Sequence, residues 1–357
     1  MSIVGAFRNK SERYFGFCLR GIKAIDLLFD RLSFCGLPCV NPNLKKFLDD
    51  DIKGGVYQKK LYRMPVRSDV GWLYYRADLL RNAGLQPPET FEELIDTSQK
   101  LQAQGVRWGY LWQGRQAEAI VAMFVEVLHG HGGFWINEKL DVGLARPEAI
   151  EAVRFLHKTM FGEKPISPKT LTTYREDETR NLFLEGKAAF LRNWSYVLPR
   201  ANLADSSIRN KIGVKPMVHA PGYTSGGCQG GRGLGIAEKT QHPKEAWQAV
   251  KFFTSAAAQR KLFLAGSVGL PTRRDLFKNP QLVKSVRHST VFVSFSVTAQ
   301  GASHTLASSQ NSSSTVPVPH YLDAQPYAVD NNELTFLNFF QSSSKVSFNR
   351  VLAAERA

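Results

Sequence analysis

The sequence predicts an α/β fold, with strands and helices alternating and a mostly parallel sheet. Three observations lead there. Helix start and stop signals recur between residues 41 and 280. Short aromatic and aliphatic runs fall between them, as strands do. The chain of 357 residues is long enough for one large domain or two medium ones.

In order, the first element is an extended run, Met64-Pro65-Val66-Arg67-Ser68-Asp69, leading into a Leu- and Tyr-rich stretch at 70–80. Asp69 is expected at the end of a strand, where α/β proteins bind ligands. Thr90-Phe91-Glu92-Glu93 is a capping box, opening a helix that ends near Gly105. Residues 108–112, with Trp108, Tyr110 and Trp112 on alternate positions, form a short strand. A helix over 115–128 closes at Gly130, and Pro147 sits at the first turn of another that runs to 156. Residues 176–185 form a helix stopped by Gly186, and a strand at 187–192 delivers Asn193 and Trp194 to its C-terminal end. A strand at 234–237 precedes helices at 243–253, opened by Pro243, and 256–264.

Composition excludes several classes. Apolar residues make up 43% and charged residues 22%, which excludes wholesale disorder. No run of 18 uncharged apolar residues occurs, so no membrane-spanning helix is expected. Cys18, Cys35, Cys39 and Cys228 are too scattered for a disulfide framework, and Cys35 and Cys39 lack partners for zinc. His129 and His131 have no local third ligand, so no metal or other cofactor is implied. Lys and Arg total 46 against 31 Asp and Glu, a net charge of +15. The bases are spread thinly, in pairs such as Lys45-Lys46, Lys59-Lys60 and Arg273-Arg274, so no nucleic-acid footprint stands out. Charges at Arg8, Lys10, Glu12, Arg13 and Arg20 interrupt any apolar core of an export signal. Residues 1–40 differ in composition from the rest, and residues 285–357 form a Ser-rich, charge-poor tail expected to be irregular.

Four clusters are candidates for chemistry. Asp69 can accept hydrogen bonds from a pair of hydroxyls, or cap a turn. Gln113 follows a strand and Glu118 lies in the first turn of a helix, where a carboxylate also favours the helix end. Trp194 and Tyr196 sit at a strand-to-helix corner, either as core or as a surface on which a sugar's C–H face can stack. The run Gly226-Gly227-Cys228-Gln229-Gly230-Gly231-Arg232-Gly233 precedes a strand and lacks a following Lys-Ser/Thr, so it reads as a flexible crossing near a ligand rather than a nucleotide loop. Arg232 there offers a planar fork of donors.

Taken in order, these stretches resemble the extracellular solute-binding proteins of ABC importers, in the sugar-binding family with maltose- and trehalose-type members. The resemblance rests on Leu61-Tyr62-Arg63-Met64-Pro65 with Leu73-Tyr74-Tyr75-Arg76-Ala77-Asp78-Leu79-Leu80, and on Pro87-Pro88-Glu89-Thr90-Phe91-Glu92-Glu93-Leu94. It continues through Gln113-Gly114 with Glu126 and Gly132-Gly133, then Phe183-Leu184-Glu185-Gly186-Lys187-Ala188-Ala189 and Asn193-Trp194. Gly230-Gly231, Pro243-Lys244-Glu245-Ala246-Trp247 and Gly269-Leu270-Pro271-Thr272-Arg273 complete it.

The resemblance implies two lobes of the type II periplasmic-binding-protein kind, closing on a ligand without chemistry. Residues 41–108 and 233–280 would form an incomplete first lobe, 109–220 the second, and 221–232 the crossing between them. Asp69 would bind sugar hydroxyls, Trp194 would stack on a ring beside Tyr196, and Gly231 would let backbone approach. Gln113, Glu118 and Arg232 would complete the site. The implied partners are a sugar and the importer's permease subunits, the protein acting as a monomer. The implied location is periplasmic or extracytoplasmic, whereas the missing export signal predicts the cytoplasm for the chain as given. A glycoside-processing enzyme and a basic nucleic-acid binder are the alternatives. Neither residues 1–40 nor those beyond 283 resemble the family's corresponding stretches. The gene is therefore expected to be truncated or frame-shifted at both ends, and possession of only part of the first lobe's sheet predicts weak or no sugar binding.

Overall fold

The computed structural model describes residues 44–57, 60–137, 141–266 and 269–285. The segment at 1–40 and the tail beyond 285 lie outside them, as do Cys18, Cys35 and Cys39.

In chain order the elements are α1 (Asp49–Lys53), β1 (Val56–Tyr57), β2 (Lys60–Leu61), β3 (Met64–Arg76), α2 (Ala77–Asn82) and α3 (Phe91–Ala103). Next come β4 (Trp108–Leu111), α4 (Glu118–Gly130), α5 (Pro147–Phe161), α6 (Glu176–Leu184), β5 (Ala188–Trp194) and α7 (Val197–Ala201). Then follow β6 (Ile212–Lys215), β7 (Gln229–Leu234), α8 (Pro243–Phe253), α9 (Ala256–Leu264) and α10 (Pro280–Ser285).

Local chemistry accounts for several boundaries. At α3 the Thr90 hydroxyl accepts from the Glu93 N–H at 3.1 Å, and the Glu93 carboxylate accepts from the Thr90 N–H at 3.3 Å. Both groups of the box are therefore satisfied reciprocally. Pro147 and Pro243 occupy first-turn positions of α5 and α8, where a missing N–H leaves no bond unmade. Gly186, just past α6, has φ +77°, the left-handed conformation that ends a helix.

The sheet is mixed rather than mostly parallel. Strand β3 is antiparallel to β5, β6 and β7, and only β4 and β5 run parallel. Strands buried on both faces read as continuous apolar runs in either orientation, so periodicity cannot distinguish them. Strand β3 also does not end at Asp69. It continues to Arg76, with its first half paired to β7 (Asp69 opposite Gly230) and its second half to β5 and β6 (Gly71 opposite Trp194). Much of the glycine-rich run is strand too: β7 takes in its second half and ends at Leu234, where the strand expected at 234–237 was to begin.

Two apolar clusters sit on this frame. The larger surrounds β4, β5 and the second half of β3, and includes Leu94, Leu101, Phe124, Leu156 and Phe190. The smaller is built on Phe47, Met64, Ile236 and Val250. The larger cluster takes in α3 and the second half of β3 as well as Phe263 and Leu270, and β3 itself carries the chain from one cluster to the other near Val70 and Gly71. No helix among the described residues is long and apolar enough to cross a membrane.

Candidate functional site

The strand change within β3 brings distant residues together. Asp69 is 2% exposed. One of its oxygens accepts from the Ser195 hydroxyl at 2.9 Å, and the other lies 2.9 Å from Arg67 Nε. Burial raises its carboxyl above the ordinary range, while Arg67, Ser195 and Arg232 oppose the shift.

Ser195 directly follows Trp194, which ends β5 half-buried. Three contacts fix the indole. Its N–H donates to the Glu176 carboxylate at 3.2 Å. The Arg192 guanidinium lies against the ring. Gly230 lies at its far edge, where an added Cβ would come within 3.1 Å of Cζ3 and 3.5 Å of the Asp69 Cβ. Glycine at 230 thus lets β7, Asp69 and Trp194 meet. The neighbouring Gly231 has φ +125°, and a Cβ there would lie 2.6 Å from the Arg67 carbonyl oxygen, so glycine at 231 is what lets β7 lie this close to β3.

Tyr196 follows, half-buried, with the Arg180 guanidinium 5.8 Å from its ring centroid. Burial raises its phenol above the ordinary value. Glu118 opens α4 with its side chain exposed. Crowding by protein atoms and then the Glu176 carboxylate raise its carboxyl, with Arg232 opposing. Arg232 is exposed and pairs in register with Arg67.

Gln113 is placed differently from expectation. It is fully buried, its amide donating to Thr179 Oγ1 at 2.9 Å and the Arg192 carbonyl at 2.8 Å, while its oxygen accepts from Arg192 at 3.1 Å. No part of it faces solvent: two residues past β4, it is held between Thr179 and the β5 backbone at Arg192. It touches Arg192, which in turn lies against Trp194. That arginine is fully buried and meets both oxygens of Glu126, one at 2.6 Å. Glu126 also accepts the Cys228 N–H at 3.0 Å, tying the crossing segment to α4.

Sequence reasoning missed Glu176, Ser195 and Arg192 as members of the site. Glu176 has a faint sequence signal, standing first in the acidic turn Glu176-Asp177-Glu178 of α6. Ser195 is simply the residue beyond the tryptophan. Buried behind the indole, Arg192 has no sequence signal that separates it from a surface arginine.

Comparison with known proteins bears on this arrangement. The sequence model of the family described as bacterial extracellular solute-binding protein matches residues 37–260. The chain belongs to this family. A probable ABC transporter-binding protein of Deinococcus radiodurans is 34% identical over 235 residues, covering 64% of this chain and 55% of that protein. The maltodextrin-binding protein MdxE of Bacillus subtilis is 27% identical over 222 residues, covering 57% of this chain and 49% of MdxE. Among solved structures, maltose-bound MalE3 of T. maritima shares 33% identity with a TM-score of 0.66, covering 72% of this chain and 64% of MalE3. The fold of this solute-binding protein is also similar to that of a ribitol-bound solute-binding protein of Agrobacterium radiobacter K84, at 22% identity and TM-score 0.65, covering 72% of this chain and 64% of that one. The chain spans about half the length of the curated relatives it matches.

Proposed function

We propose that this chain captures a mono- or oligosaccharide for an ABC-type importer, holding it at the strand crossing without chemical change. The ligand's ring lies on the half-buried indole of Trp194, flanked by Tyr196. Asp69 exchanges its Ser195 or Arg67 contact for ligand hydroxyls, and Glu118 and Arg232 reach it from the rim. The observation that carries this reading is the setting of Trp194. An indole with its N–H, one face and one edge fixed, beside a carboxylate and a glycine strand, is a preformed stacking surface. Similarity to maltose-bound MalE3 supports a sugar as the ligand. The partners are then the permease subunits, the protein acting as a monomer in an extracytoplasmic location. Among the described residues the small cluster is built on four buried apolar residues, a slight core for that wall of the site, and weak binding is expected. Titration of the full chain with maltose and trehalose, followed by indole fluorescence, tests this. Saturable change that disappears in Trp194→Ala is the expected result, and a flat titration rejects the reading.

A further inference from the structure

We propose that the cleft between β4, the end of α5 and the end of α6 is a ligand site separate from the strand crossing, taking a small aromatic carboxylate. The proposal is independent of the carbohydrate reading. The cleft measures about 500 Å³, a volume that suits a small molecule. Its apolar wall includes Trp108, Met160, Tyr174 and Leu182, and its cations are Arg107 and Lys169. Met160 is fully covered, whereas the rings of Trp108 and Tyr174 stay half-buried. The cleft lies at the far ends of the elements that reach the indole. Trp108 opens β4, while Gln113, past the other end of that strand, touches Arg192. Leu182 is six residues along α6 from Glu176, about 9 Å on the helix axis.

Hydrogen bonds fix the walls. The Tyr110 N–H donates to the Ile166 carbonyl at 2.9 Å, and the Ser167 hydroxyl donates to the Tyr110 carbonyl at 2.7 Å. The Ile166 N–H in turn donates to the Thr159 carbonyl of α5 at 2.9 Å. At the other end of this loop the Arg115 N–H donates to the Tyr174 carbonyl at 3.0 Å. The segment at 166–174 is thus pinned at both ends, and a preformed cleft asks little ordering of its ligand. Its polar groups select that ligand. No carboxylate or amide side chain lines the cleft, so the hydroxyls of a sugar find few acceptors there. The Arg107 guanidinium lies 5.9 Å from the Trp108 ring centroid, and Lys169 Nζ lies 5.5 Å from that of Phe161. Neighbouring Lys187 is matched by Glu185. Among the described residues no carboxylate pairs with Arg107 or Lys169. Two unmatched cations beside an aromatic wall suit an anion with a flat apolar body. Its ring packs on Trp108 and Tyr174, and its carboxylate meets the Arg107 fork or the Lys169 ammonium.

Three probes that share a ring and differ in charge test the site: phenylacetate, phenylacetamide and phenethylammonium, each titrated against the full chain by ligand-observed NMR. Phenylacetate is expected to bind saturably and about fivefold more tightly than the amide, with the ammonium weakest. In Arg107→Gln/Lys169→Gln, two exposed positions, that preference should fall to about twofold or less. Trp194→Ala should leave it unchanged. A flat titration with phenylacetate, or equal binding of all three probes, overturns the proposal. A preference that survives in the Arg107 and Lys169 variant, or that is lost in Trp194→Ala, puts the anion elsewhere and overturns it too. None of these outcomes bears on sugar binding, which is read with maltose.

Discussion

The Arg192 guanidinium lies against the indole of Trp194, its central carbon 4.3 Å from the ring centroid. Both faces of the guanidinium are withdrawn from water, and its charge is matched by the equally buried Glu126. Removing one member of a buried pair strands the other and costs about 3–5 kcal/mol, whereas replacing both with apolar groups costs far less. Arg192→Met and Glu126→Leu should each lose stability on that scale in urea denaturation, and the double variant should lose less than the sum. Additive losses would show that the two do not act as a pair.

Trp194→Ala should leave the fold in place, since the indole is half-buried and ends its strand. Its loss removes a stacking surface worth ~1.5 kcal/mol, about tenfold in affinity. Near-unchanged circular dichroism with at least a tenfold weaker sugar titration is the expected pair of results. Unchanged affinity would place the ligand elsewhere.

Asp51 makes stability depend on pH. It is 3% exposed, and burial pushes its carboxyl up to about 7, with Ser68, Arg63 and Gln229 opposing. Its folded pKa exceeds its unfolded one, so between pH 4 and 7 the folded state holds the extra proton. Its contribution to stability is therefore fully present at low pH and is lost as pH rises through 7. Asp51→Asn, which keeps the neutral form, should gain stability relative to the parent at pH 8 and little at pH 4.5. Urea midpoints at the two values check this, and an equal shift at both would contradict it.

Gly231→Ala should destabilise by more than ~1 kcal/mol, because an L-residue is strained at φ +125° and the new methyl meets the Arg67 carbonyl. Thermal unfolding measures the loss. A neutral substitution would mean that β7 can retreat from β3.

How far the sequence revealed all this depends on the range of each signal. The capping box at Thr90 and Glu93 and the first-turn prolines Pro147 and Pro243 are local chemistry, and the structure has them as expected. Strand direction was not legible, because Tyr74, Leu191 and Val214 would be equally apolar in a parallel or antiparallel sheet. The meeting of Asp69 with Ser195 spans 126 positions of sequence, and nothing local to either residue announces it. The burial of Gln113 was not legible either, because burial after a strand depends on what packs above it. The contact of Glu176 with the indole was not legible, since it arises only once β5 brings Trp194 alongside α6.

The carbohydrate claim stands most directly on the face of one ring. Saturation-transfer difference NMR of maltose with the full chain and with Trp194→Ala reports which ligand protons touch protein. Transfer concentrated on the C–H face of one glucose ring, lost in the variant, is the predicted result. No transfer to maltose or trehalose, or transfer unaltered by the substitution, would contradict it.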